Sequence, residues 1–193
     1  MIGFDIEEFK IDVFKKLDSG LPKGIFYHKT DHTKDVLQSA EYIAKSEGVS
    51  EHEFGLVRIA AILHDLGYIN SLTSHEEASC KHAREILSNR GLPVEDIEKV
   101  CGMIMATKIP QSPNNLLEEI ICDADLDYLG RDDYDFWADR LKQEFLAILP
   151  SFELSKWKQI QIDFLKQHKY FTKTSIRERA KGKEAQLLIL MGT

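Results

Sequence analysis

The chain has 193 residues, 25 lysines and arginines against 32 aspartates and glutamates, and a formal net charge of −7 with its seven histidines neutral. With 43% hydrophobic and 30% charged residues it is too apolar for a disordered chain, and its apolar runs are too short for a membrane span. The acidic balance excludes a nucleic-acid duplex as the main ligand, because that binding draws on clustered lysine and arginine.

Three cysteines, Cys80, Cys101 and Cys122, form no CxxC pair, and no basic segment followed by an apolar run opens the chain, so the expected location is the cytoplasm. No linker or repeat divides residues 1–193, and the reading is one all-α helical bundle. Val36, Ala40 and Ile43 share one face of a helix over 31–47, with Thr30 or Asp31 as its cap. Ser50 with Glu53 and Ser74 with Glu77 have capping-box spacing, which starts two further helices near 51 and 75. Leu56, Val57, Ile59, Ala60, Ala61 and Ile62 make the first of these apolar nearly all round, as expected of a helix enclosed by others.

Glycines 48, 67, 91 and 130 fall where helices end, and the left-handed conformation is expected there. Ile97, Val100, Cys101, Ile104 and Met105 form the stripe of another helix, and Leu117, Ile120, Ile121 and Ala124 that of a helix over 115–129. Beyond 132 three more helices are expected, with Trp137, Leu141, Phe145 and Ile148, then Trp157, Ile160 and Phe164, then Ile176, Leu187 and Leu188 facing inward. Alternation long enough for a sheet is absent.

Four polar residues interrupt these stripes. Stepping back from Val36 by four residues leads to His32; continuing the enclosed helix leads to His64, with Asp65 beside it; Leu117 and Ile121 lead to Asp125. Ionised groups are seldom buried unless paired or bound to metal. Two imidazoles and two carboxylates from three helices form a mixed nitrogen and oxygen donor set, suited to one divalent cation: Mn, Fe, Ni, Co, Zn or Mg. Each alone also has a plain reading as a cap or a hydrogen-bonded core residue.

The order of motifs adds a resemblance. Tyr27-His28-x-x-x-His32-Thr33, Ala61-Ile62-Leu63-His64-Asp65-Leu66-Gly67 and Cys122-Asp123-Ala124-Asp125 are similar to the HD superfamily of metal-dependent phosphohydrolases, whose signature is a histidine, a His-Asp pair and a later aspartate. The similarity covers about 27–130. It implies an HD-type bundle in which His32, His64, Asp65 and Asp125 hold the metal, with residues 132–193 completing the bundle and narrowing substrate choice. It further implies hydrolysis of a phosphate ester by metal-activated water, on a small phosphorylated substrate of nucleotide or cyclic-nucleotide type, as monoesterase or phosphodiesterase.

By the same resemblance His28 would protonate the leaving oxygen, and Asp123 would orient a ligand or water from behind, although either residue could instead be solvent-facing. His75 and Glu76 would line the pocket or bind a weaker second ion, or else simply open their helix. Lys108 and Arg131 are the candidate phosphate-binding cations, against a plain reading as surface charges. A homodimer is compatible with the sequence. The rival function is a metal- or nucleotide-sensing HD module without turnover.

Overall fold

The computed structural model describes residues 2–192; positions 1 and 193 of the expected domain lie outside the described residues. The first helix, α1 (Ile6–Gly20), precedes the elements proposed above, and Asp5 caps it by accepting from the amides of Glu7 at 2.7 Å and Glu8 at 3.2 Å. α2 (Thr30–Glu47) ends on Gly48 in the expected left-handed conformation, φ 73°. Its start differs from expectation, because the Thr30 hydroxyl donates to Asp18 across the chain and no side chain caps the helix.

α3 (Glu51–Leu63) starts with the complete Ser50/Glu53 capping box. It packs against α1, α2, α5 (Val94–Ala106) and α6 (Leu116–Asp125). An apolar circumference is stable only when enclosed in this way. α4 (His75–Asn89) also starts where expected, but the capping box is not made: the Ser74 side chain makes no cap bond, its amide donates to the Ser71 hydroxyl at 3.1 Å, and the Glu77 carboxylate accepts from Lys108 at 2.5 Å. The α6 helix is shorter than the 115–129 proposal: it stops at Asp125, and a 3-10 turn follows over Asp127–Gly130.

The three helices expected beyond 132 are α7 (Tyr134–Ile148), α8 (Trp157–Gln167) and α9 (Lys173–Met191). They build a second apolar cluster from Tyr27, Tyr128, Leu129, Tyr134, Trp137 and Leu165, separate from the core around α3. Leu187 packs on this cluster, whereas Ile160, Ile176 and Leu188, expected to face inward, are 39%, 50% and 46% exposed. No strand occurs among the described residues, and none of their helices is long and apolar enough to cross a membrane.

Of the four glycines expected to be left-handed, Gly48 and Gly91 are, and Gly67 and Gly130 are not. The latter two are sites of close approach. A Cβ on Gly67 would lie 2.0 Å from the His75 carbonyl oxygen and 2.6 Å from the Ser79 nitrogen, and one on Gly130 would lie 2.3 Å from the Arg179 carbonyl oxygen. The Gly67 amide donates to the Ser79 hydroxyl at 2.8 Å, which in turn donates to the His64 carbonyl at 2.6 Å, so the turn after His64 is sewn to α4. Gly67→Ala forces backbone apart at this seam, and we expect it to cost about 3 kcal/mol, the upper end of ordinary overpacking. Urea unfolding of the variant beside the parent reads this directly.

Candidate metal centre and active site

Three helix ends meet where the two clusters adjoin. His32 lies in the first turn of α2, His64 and Asp65 directly follow α3, and Asp125 is the last residue of α6. His32, His64 and Asp65 are buried and Asp125 is half-buried. His32 Nε2 lies 3.1 Å from Asp125 Oδ1 and 3.5 Å from Asp65 Oδ2, while His64 Nε2 lies 3.1 Å from Asp65 Oδ2 and 3.6 Å from Asp125 Oδ1. Donor atoms of His32, His64 and Asp125 all fall within 4.8 Å of one another, a group that could hold a metal ion.

The donor atoms themselves test that fit. His64 Nδ1 pairs with the Ala61 carbonyl oxygen at 2.8 Å, an acceptor only, so Nδ1 carries a proton and Nε2 is the atom turned to Asp65 and Asp125, where a cation would replace a proton. That Nε2 and Asp65 Oδ2 are buried with no hydrogen-bond partner, although they face each other. Two orphaned donors of this kind are costly unless something else satisfies them. Cis ligands about 2.1 Å from one octahedral ion stand about 3 Å apart, close to the separations seen here. The residues fit a divalent cation.

The rings and carboxylates of the cluster stabilise each other's charge: burial lowers the His64 pKa, but Asp65 and Asp125 raise it well above the ordinary imidazole value. Burial pushes the Asp65 carboxyl up, but the His64, His28 and His32 rings outweigh it and hold the group far below the ordinary carboxylate range. Asp125 behaves likewise: burial opposes ionisation, and His32 and His64 overcome it. Both carboxylates are therefore anionic near neutral pH, as ligands must be.

His28 sits on the loop ahead of α2 and lines the cavity beside the cluster. Its Nδ1 meets Glu144 Oε1 at 2.5 Å, and its Nε2 lies 3.1 Å from the Tyr68 hydroxyl. Burial lowers the His28 pKa, yet Asp65 and Glu144 together raise it above the ordinary imidazole value. Tyr68 is stacked between His28 and His75, with ring centroids 4.0 and 4.1 Å away. His75 Nε2 stands 3.7 Å from Asp65 Oδ1 and 3.4 Å from Glu76 Oε1, which places the His75/Glu76 pair at the edge of the cluster. Burial dominates at His75 and lowers its pKa.

Three residues expected in the site are elsewhere. Asp123 is fully buried and accepts from the Phe171 amide at 2.9 Å, the Thr172 amide at 2.8 Å and the Thr172 hydroxyl at 2.7 Å. It ties α6 to the start of α9, because a helix places residues two apart on nearly opposite sides and Asp125 takes the inward one. Lys108 is exposed and paired with Glu77. Arg131 is held by Asp35 at 2.9 Å, Asp133 at 2.7 Å and Asp127 at 3.3 Å, outside the cavity.

Glu144 is the residue that sequence reasoning missed. Its Oε2 accepts from the amides of Phe26 at 2.9 Å, Tyr27 at 2.8 Å and His28 at 3.1 Å, so one buried carboxylate from α7 shapes the whole His28 loop. A signal was present: Glu144 falls three residues after Leu141 and seven after Trp137, on the inward stripe of its helix, as His32 does on α2.

The HD domain family model matches residues 30–127, a span that contains all four clustered side chains, and the chain belongs to that family. Among solved structures it is similar to a protein from an uncultured Thermotogales bacterium described as a predicted HD superfamily hydrolase. That pair shares 18% identity and a TM-score of 0.63, over 98% of this chain and 96% of the other. A protein from Lactobacillus plantarum is similar at 16% identity and a TM-score of 0.61, over 96% of this chain and 95% of its own. At these identities the likeness is one of fold. No curated protein matches the sequence.

Proposed function

We propose that the chain is a metal-dependent phosphohydrolase that cleaves a phosphate ester with water. The observation that carries this reading is the pair of orphaned buried donors, His64 Nε2 and Asp65 Oδ2, facing His32 and Asp125 beside a cavity into which His28 is turned. A divalent cation held by His32, His64, Asp65 and Asp125 would supply Lewis acidity, neutralising charge at phosphorus and acidifying a water. His75 and Glu76 offer a weaker second position at the edge of the cluster.

The chain's own residues would do the rest. His28, with Nδ1 fixed on Glu144, carries a proton at Nε2 and gives it to the departing ester oxygen. Glu144 keeps the ring oriented and favours its protonated form. Tyr68 packs flat on the ring and restricts it to one plane. α7 and α8 line the cavity on the side away from the cluster with apolar side chains.

The test is release of p-nitrophenol from p-nitrophenyl phosphate and from bis(p-nitrophenyl) phosphate by protein stripped of metal and reloaded with Mn²⁺. Metal-dependent release supports the reading, and the faster substrate separates monoesterase from phosphodiesterase. Tight metal binding without release from any ester, with Mn²⁺, Fe²⁺, Zn²⁺ or Mg²⁺, would favour the sensing module instead. Nucleotide chemistry as the target rests on the family resemblance, and the cavity wall bears on it separately.

A further inference from the structure

The cavity has a volume of about 360 Å³ and two unlike ends. At one end stand His28, Asp65, His75, Glu76 and Asp125; at the other α7 and α8 contribute Leu141, Phe145, Trp157, Ile160 and Phe164. Among the described residues no lysine or arginine lines it. Basic residues near the site in sequence are turned elsewhere: Lys29 lies over the Phe26 ring, Lys34 over the Phe14 ring, Lys108 pairs with Glu77, Arg131 with three aspartates, and Arg140 with the Phe26 carbonyl and Asp31.

This wall constrains what the ester can carry. Asp65, Asp125 and Glu76 line the cluster end and Glu144 pairs with His28 behind it, so a cation at the main cluster, and a weaker one at His75 and Glu76, would be largely balanced by carboxylates and leave little positive charge to offset a second or third phosphoryl group. A polyphosphate would bring added negative charge into a low-dielectric space with no cation to meet it. The apolar end is equally restrictive. The few polar side chains that line the cavity away from the cluster are in part already engaged: Gln161 donates to the Tyr134 hydroxyl at 2.8 Å, and the Thr107 hydroxyl donates to the Ile104 carbonyl at 2.8 Å. The hydroxyls of a ribose and the edge of a base would be buried there largely unpaired, which costs affinity. An alkyl or aryl group gains by burial on the same surface.

Resting on the phosphohydrolase reading, we propose that the substrate is a phosphate ester with a single phosphoryl group on an uncharged, largely apolar alcohol, bound with the phosphoryl at the cluster and the apolar group between α7 and α8. The reaction balances as ester plus water giving alcohol plus inorganic phosphate. The bond from phosphorus to the alcohol oxygen breaks, the water oxygen joins phosphorus, and His28 delivers the proton that the alcohol carries away; one water proton stays on the phosphate and the other leaves to solvent, which returns a proton to His28.

Calorimetry on the full chain loaded with Mn²⁺ tests the inference without turnover, using methylphosphonate, octylphosphonate and the 5′-phosphonate analogue of AMP. Octylphosphonate is expected to bind at least tenfold more tightly than either of the others. Ile160→Gln, at a rim position 39% exposed and therefore tolerant of change, should cut that advantage severalfold and leave methylphosphonate unaffected. Equal affinity for the two alkylphosphonates, or tighter binding of the nucleotide analogue, overturns the proposal. Its failure is distinct from that of the hydrolase reading. A chain that binds octylphosphonate but never releases phosphate from octyl phosphate retains the apolar site and loses the activity, whereas one that hydrolyses esters yet prefers the nucleotide does the reverse.

Discussion

Asp65→Ala is expected to abolish metal retention and with it ester hydrolysis, by roughly a thousandfold or more in kcat/KM. The loss of a residue behind a metal ligand already costs about 10–100-fold, and Asp65 would itself be a ligand. Its carboxylate is 3% exposed, has an orphaned Oδ2, and stands within 3.5 Å of both His32 and His64. Among the described residues no other carboxylate reaches the His64 ring as closely, since Asp125 is 3.6 Å from it. The fold should survive, because Asp65 Oδ2 supports no hydrogen bond that packing depends on. Metal content after dialysis, together with the rise in melting temperature on adding Mn²⁺, gives the check: the parent should hold an ion and gain stability by mass action, and the variant should do neither. A variant that still retains one ion per chain would remove Asp65 from the centre.

Glu144→Gln is the second large effect. A positioned general acid contributes about 10²–10⁴ in rate, and Glu144 is what positions His28, so we expect kcat to fall by roughly tenfold to a hundredfold with KM little changed. The amide can still accept from the amides of residues 26–28, which keeps the loop in place, but it no longer carries charge beside the imidazole. The sign of the pH effect follows. His28 acts in its protonated form, so activity declines as pH rises through its pKa, and Asp65 and Glu144 set that pKa above the ordinary value. Losing the Glu144 charge lowers it, and the alkaline limb of the kcat profile should move to lower pH. An unmoved limb would make Glu144 a structural support only. Glu144→Ala should additionally weaken the fold, since three backbone amides lose their acceptor at once.

The candidate metal cluster was legible because its members continue or interrupt the apolar stripes of α2, α3 and α6, and because the order His, His-Asp, Asp carries the family signature. The α1 helix escaped notice despite its Asp5 cap. The Ser74/Glu77 box is not made because both of its ends are engaged otherwise: the Ser74 amide meets the Ser71 hydroxyl, and the Glu77 carboxylate meets Lys108, 31 residues away. Gly67 and Gly130 were marked by position alone, and the structure shows that what they supply is the missing Cβ at a helix contact rather than a left-handed turn.

Periodicity thus marked the buried faces of α2, α3, α5 and α6 and the four side chains that should meet, and capping-box spacing marked where α3 and α4 begin. The tertiary structure decided the rest: that Asp123 anchors α9, that Lys108 and Arg131 are bound to acids outside the cavity, that Glu144 holds His28 from 116 residues away, and that no lysine or arginine lines the cavity wall among the described residues. The physical reason is that spacing along a chain sets the direction of a side chain about its own helix axis, a local property. Its partner depends on which surface another helix brings against it, and that choice is made by packing the whole chain at once.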